Sequence, residues 1–305
     1  SNTLKTITLT ADGSFAVTDN ATLGSFTGGT KTIMSFDSSA ADVVVNTTVA
    51  SLGDSATATL GDGADVFSAN GSAGAGIVIT GGKGNDNLTG SAQADIIYGG
   101  AGNDVIGSNS GDDTLYGDAG ADTITGTNSS ADTIVGGTGD DIIDGAGGLD
   151  TYTGGTGSDI FLIEDNADTE AADLITITDF TAGVGGDILR IDVSDAGGSV
   201  AANLTAVIED VDNATNADNV IVLATDVISH TSEANFAVAV EAGNNNQLDY
   251  IGIFFDSTDS VTKLVFDADS GSAAPTLIAE FSNINTAALA QTFVDALVIQ
   301  NFDLI

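Results

Sequence analysis

The sequence predicts an all-β-dominated chain: a parallel β-solenoid running into a β-roll, followed by a β-rich C-terminal domain with one or two short helices. The strongest sign is a repeat. Nine aspartates, Asp86, Asp95, Asp104, Asp113, Asp122, Asp132, Asp141, Asp150 and Asp159, are separated by 9, 9, 9, 9, 10, 9, 9 and 9 residues. Two positions after each stands a large apolar residue: Leu88, Ile97, Ile106, Leu115, Ile124, Ile134, Ile143, Tyr152 and Phe161. Glycine lies a few positions before most of them, which gives the nonapeptide GGxGxDxUx of a calcium-loaded parallel β-roll. The second sign lies in the flanks, where short apolar runs are separated by Ser, Thr, Ala and Asp turns.

Residues 1–80 read as solenoid rungs, with strands expected at 5–10, 14–17, 32–36, 43–49, 56–60 and 77–80. No helix signal competes, and such rungs would cover the open end of the roll. Gly61-Asp62-Gly63-Ala64-Asp65-Val66-Phe67 is an isolated half-repeat. It reads either as a lone calcium turn or as a plain β-turn.

Residues 81–162 read as the roll. Each nonapeptide supplies a turn and a short strand whose central apolar residue points inward, because side chains alternate along a strand. Glycine allows backbone angles closed to other residues, so a GGxG run aims several carbonyl oxygens at one point. The aspartate adds a carboxylate. Oxygen-only ligation with flexible geometry, at about 2.3–2.6 Å, suits calcium better than magnesium. Coils stacked roughly 4.8 Å apart let turns on the same edge share an ion.

The two edges differ in sequence. One carries near-ideal turns at 81–86, 99–104, 117–122, 136–141 and 154–159. Its expected calcium ligands are Asp86, Asp104, Asp122, Asp141 and Asp159 with Gly82, Gly84, Gly100, Gly102, Gly120, Gly137, Gly139, Gly155 and Gly157. The other edge, with Asp95, Asp113, Asp132 and Asp150, has degraded turns at 90–95, 108–113 and 145–150, and one extra residue between Gly126 and Asp132. The expectation is one full row of four ions sandwiched between the five near-ideal turns, and a weaker, partly empty row opposite.

Residues 163–305 read as a mixed domain with strands at 219–223, 250–255, 262–266 and 276–281 and a hairpin around Asp256-Ser-Thr-Asp-Ser260. Helices are expected at 232–241 and at 286 to about 296, each opening with a capping residue. Asp267-Ala-Asp269-Ser-Gly271 begins like a calcium loop. Its twelfth position is Ile278 rather than glutamate, so it reads as a surface turn and not an EF-hand. The acidic, apolar tail at 295–305 reads either as an export signal or as a final strand.

Residues 81–162 resemble the RTX (repeats-in-toxin) proteins exported by type I secretion. Asp150-Thr-Tyr-Thr-Gly-Gly-Thr-Gly-Ser-Asp159-Ile-Phe161, then Asp173-Leu-Ile-Thr-Ile-Thr-Asp179-Phe180 and Asp187-Ile-Leu-Arg-Ile-Asp192, resemble the way such rolls end. Met34-Ser-Phe-Asp-Ser-Ser-Ala-Ala-Asp-Val-Val-Val-Asn46 and the half-repeat ending at Phe67 are similar to rungs before the repeats in type I-secreted bacterial surface-layer proteins. The resemblance implies a chain that passes unfolded through a type I exporter and folds outside on calcium. It also implies a cell-surface location, with a two-dimensional lattice or homo-oligomer of itself and cell-surface polysaccharide as partners. The tail at 295–305 is similar to the uncleaved C-terminal signal of type I substrates.

Composition bounds the alternatives. Lys+Arg is 5 against 44 Asp+Glu, a formal charge of −39, so phosphate repulsion argues against nucleic acid. Bare anionic lipid is disfavoured for the same reason unless cations bridge. Hydrophobic residues make up 42%, too many for a simple acidic disordered chain. Self-repulsion should keep the metal-free repeats expanded, and calcium binding then becomes folding free energy. Extracellular calcium modules work near 10⁻⁴–10⁻³ M, that order of magnitude being the expectation here. There is no cysteine, so neither disulfides nor thiolate sites are available. No run reaches about 18 uninterrupted apolar residues, so no membrane insertion is expected. No cleavable N-terminal signal is visible; the opening Ser1-Asn2 is compatible with a cloning scar, and the start reads as mid-protein.

No enzyme is expected. The single histidine, His230, reads as structural, and neither HExxH nor GxSxG occurs. Gly76-Ile-Val-Ile-Thr-Gly81-Gly82-Lys83-Gly84 resembles a phosphate loop only superficially, since the lysine is one place late and glycine replaces the hydroxyl residue. The carboxylates are numerous enough for a glycosidase-like pair, but the regular aspartates already have a metal role. Three functions remain in order: the calcium-dependent lattice region of a surface-layer protein, an RTX adhesin or glycan-binding module, and the secretion and folding module of an extracellular protease or lipase. The N-terminal rungs count against the third, since a catalytic domain would stand directly before the repeats.

Overall fold

A computed structural model describes residues 13–17, 22–23, 32–36, 44–46, 56–70, 76–127, 130–164, 174–192, 206–208, 220–223, 250–256, 259–267, 276–286, 288–289 and 302–304. The chain forms two compact units, Ser1–Asp159 and Ile160–Ile305. The solenoid rungs and the repeats thus share one unit.

The first unit winds two parallel sheets. One contains β1 (Gly13–Val17), β3 (Thr32–Phe36), β5 (Ala56–Thr59), β7 (Ile77–Lys83), β9 (Ile96–Ala101), β11 (Thr114–Ala119), β13 (Thr133–Thr138) and β15 (Thr151–Thr156), side by side in that order. The other contains β2 (Thr22–Leu23), β4 (Val44–Asn46), β6 (Val66–Ser68), β8 (Asn87–Thr89), β10 (Val105–Gly107), β12 (Thr123–Thr125) and β14 (Ile142–Asp144). Odd and even strands alternate along the chain between sheets, which is one coil per two nonapeptides.

The register stacks like on like. Ala58, Ile79, Ile97, Leu115, Ile134 and Tyr152 form one column. Phe67, Leu88, Ile106, Ile124 and Ile143 form the facing one. All are at most 1% exposed, so every apolar position of the repeat faces inward as expected. The outer face carries Tyr98 and Tyr116, whose parallel rings stack 4.8 Å apart, in step with the coil.

The strands differ in length between the sheets. β8, β10, β12 and β14 have three, whereas β9, β11, β13 and β15 have six. The longer strands run on into the glycine turns, where Gly82 pairs with Gly100 and Lys83 with Ala101. Side-chain-free glycine lets successive coils stay close enough there for the ladder to continue.

In the second unit, β16 (Ile160–Glu164), β18 (Ile188–Asp192) and β24 (Phe302–Leu304) form one parallel sheet. The other sheet runs β17 (Ile175–Ile177), β23 (Thr276–Phe281), β22 (Val261–Asp267), β21 (Tyr250–Asp256), β20 (Val220–Leu223), β19 (Ala206–Ile208). β22 is antiparallel to both β21 and β23, so the hairpin read from the sequence is present. Phe180 packs edge-on against Phe281, with Phe161 beside it.

Of the second expected helix, Ala288 and Leu289 are helical, and the Thr286 hydroxyl accepts the Leu289 N–H at 3.2 Å as a cap. Within the tail, residues 302–304 are strand. Residues 5–10, His230, 232–241, 268–271 and 295–301 lie outside the described residues.

Candidate metal centre

The nonapeptide aspartates form two buried columns along the edges of the roll. On one edge the N–H of each aspartate donates to Oδ1 of the aspartate one coil on: Asp86 to Asp104, Asp104 to Asp122, Asp122 to Asp141 and Asp141 to Asp159, at 2.7–2.9 Å. On the other, Asp95 donates to Asp113, Asp113 to Asp132 and Asp132 to Asp150, at 2.7–2.8 Å. All nine are at most 2% exposed. Their carbonyls are used as well: Val105 N–H donates to Asp86 and Thr123 N–H to Asp104, each at 2.8 Å.

What remains is Oδ2. In Asp86, Asp104, Asp122 and Asp141 on the first edge, and in Asp113 on the second, this buried atom has no hydrogen-bond partner. An unmet buried acceptor is costly, and more so when it carries charge. Glycine lets the backbone come close beside it. A side chain on Gly81 would run into both Asp86 Oδ2 and the Gly99 carbonyl oxygen. Gly99, Gly117 and Gly136 repeat this with Asp104 and Gly117, Asp122 and Gly136, and Asp141 and Gly154. At four places between the five near-ideal turns, a carboxylate oxygen and a carbonyl oxygen therefore converge on a glycine.

The turns reach this shape through left-handed backbone. Gly82, Gly84, Gly100, Gly102, Gly120, Gly137, Gly139, Gly155 and Gly157, the glycines expected at the metal, all have positive φ. Asp118 takes the place of one at φ 72°. Two turns that look degraded keep the same bend, with Asn109 at 67° beside Gly111, and Ala146 at 60° beside Gly148.

The second edge differs mainly in its carboxylates. Asp95 Oδ2 accepts from Ser91 N–H, and its Oδ1 from the Ser91 hydroxyl at 2.9 Å. Asp132 Oδ2 accepts from the Ser130 hydroxyl at 3.4 Å, and Asp150 Oδ2 from the Tyr152 hydroxyl at 3.5 Å. That hydroxyl also accepts the Gly145 N–H at 2.7 Å. At Asp95, Asp132 and Asp150, though not at Asp113, protein donors thus occupy oxygens that stay bare on the first edge. The spacing of aspartates carried no sign of this; Ser91 and Tyr152 were the available signals.

Asp65 continues the first column, its N–H donating to Asp86 Oδ1 at 2.7 Å. Its own Oδ2 accepts the Gly61 N–H at 3.0 Å, and Leu60 stands where the repeats have their first glycine. Lys83 reaches back to Asp62 at 2.8 Å across this junction.

Burial, above all, pushes Asp86, Asp113 and Asp141 up from 3.8 to about 7, and Asp104 to about 6. Neighbouring aspartates add to this. A cation beside Oδ2 reverses that penalty. Among the described residues no three carboxylate or imidazole side chains gather as a site, so a metal here would take one carboxylate per turn and otherwise carbonyl oxygens. Calcium accepts such a hard oxygen set.

A parallel β-roll with a bare-carboxylate column at a glycine edge is the architecture of a calcium-binding repeat protein. Residues 72–106, 108–129 and 126–161 match the family model of the RTX calcium-binding nonapeptide repeat (4 copies). The chain carries RTX repeats, and RTX repeats bind several calcium ions per array. The match covers less than half of the chain, and no curated protein matches it.

The raised carboxyl groups give the calcium response a pH dependence. The folded, metal-free roll holds protons that an unfolded chain releases, so these groups stabilise it fully below about pH 4 and lose that effect as pH rises through 6–7. Protons held by these groups partly replace the metal, so the calcium concentration at half-folding should fall as pH drops from about 8 to about 5, followed by circular dichroism. A midpoint that rises as pH falls across that range would contradict it.

Proposed function

We propose that this chain is the calcium-dependent, lattice-forming region of a bacterial surface-layer protein, exported by a type I system and folded by extracellular calcium. The observation that carries the calcium part is the column of buried, partnerless Oδ2 atoms on Asp86, Asp104, Asp122 and Asp141. Proteins with RTX repeats are typically secreted, and are typically structural or adhesive. A net charge of −39 keeps copies apart without metal, so calcium serves a second purpose by bridging acidic faces. Surface-layer assembly itself is supported by the Ser/Thr/Ala/Gly-rich make-up and the rungs before the repeats.

Added calcium should convert the chelated monomer into sheets visible by electron microscopy, with a matching rise in particle size. A chain that folds on calcium yet remains monomeric at high concentration would contradict the lattice, and retention on a glycan array would then favour an adhesin.

A further inference from the structure

In the C-terminal unit, Lys263 is buried with its amine in contact with an equally buried carboxyl group. On β22 it stands opposite Phe254 of β21 on one side and Glu280 of β23 on the other. Every residue from 261 to 265 is buried, Lys263 being 3% exposed. Its Nζ lies 3.0 Å from Oδ2 of Asp256, which is 2% exposed. Exposed Asp259 reaches the same nitrogen at 2.8 Å, and Glu280 Oε1 lies 3.8 Å away. A turn fixes Asp256: its Oδ1 accepts the Asp259 N–H at 3.3 Å and its carbonyl the Ser260 N–H at 2.8 Å.

Fully ionised, this cluster sets one cation against three anions, with Lys263 and Asp256 both out of water. Desolvation offsets much of such a pair's attraction. One proton transfer relieves it, leaving an amine against a carboxylic acid, the two partners of an amide condensation held in contact. Such fixed proximity replaces the entropy cost of a bimolecular encounter.

We propose that Lys263 and Asp256 join in an intramolecular isopeptide bond, with Glu280 carrying the proton. The ammonium first passes one proton to the Asp256 carboxylate. The nitrogen lone pair then attacks Cγ, and Glu280 takes a second proton from nitrogen and delivers it to the departing hydroxyl. The C–O bond breaks, water leaves, and an Nζ–Cγ amide remains with its one hydrogen. No oxidation state changes, and Glu280 ends as it began. The bond ties β21 to β22 in a chain without cysteine. It is independent of the calcium sites, which lie in the other unit.

The test is the intact mass of the full chain, denatured after refolding in calcium. The wild type should be lighter by one water, and a digest should yield a branched peptide joining Asp256 to Lys263. Asp256→Ala should keep full mass. Glu280→Gln should fold with wild-type circular dichroism yet cross-link about 100-fold more slowly, while Asp259→Asn, freed of a competing carboxylate, should cross-link at least as fast as the wild type. A folded wild type that keeps its full mass would overturn the proposal, as would a water loss that persists in Asp256→Ala.

Discussion

Gly102→Ala should cripple folding of the repeats, whereas Gly107→Ala, five residues on, should leave it intact. Gly102 has a φ of 131°, and a methyl group there would collide with the Gly84 carbonyl oxygen of the previous coil. The partner atoms are backbone, so neither side can give way cheaply. A left-handed residue costs an L side chain about 1–2 kcal/mol, and overpacking adds about as much, giving roughly 3 kcal/mol. At Gly107 nothing lies within 4 Å of the added carbon and φ is ordinary, so a change within about 1 kcal/mol is expected. Melting temperatures in saturating calcium would show the contrast. Equal effects would mean that the turns are not held at this close approach.

The second large effect separates the edges. Asp104→Asn keeps an acceptor for the Asp86 N–H but removes the charge from a bare Oδ2 position. It should raise the calcium midpoint at least tenfold, about 1.4 kcal/mol. Asp95→Asn should shift it much less, because Ser91 already satisfies that carboxylate. Isothermal titration of both variants decides the matter. Equal shifts would contradict an asymmetric metal load.

How much of this was legible follows from which features repeat. The spacing of Asp86 through Asp159, with an apolar residue two places on, fixes handed turns, inward columns and register together, and all nine apolar positions are buried. The 254–266 hairpin was equally plain, since two apolar runs flank a short polar turn. What escaped was what no period encodes. That glycine turns would pair as strand depends on two coils approaching at once. Ala146 in a left-handed bend contradicts its own preference and is imposed by the coils on either side. The strand after Asp65 was missed, although Val66-Phe67 repeats the pattern one coil early. Capture of Asp150 by Tyr152 depends on a hydroxyl where other repeats carry none. The Lys263 cluster draws on β21, β22, the turn between them and β23, and only the fold brings these together.

Central to all this is metal supplying the cohesion of the glycine edge. Its most direct test is circular dichroism and melting of the chelated chain at neutral pH, with calcium then restored. Loss of the β signal and of the cooperative melt on chelation, both recovered by calcium but not by magnesium, is the expected result. A chelated protein with the same spectrum and the same melt would contradict it.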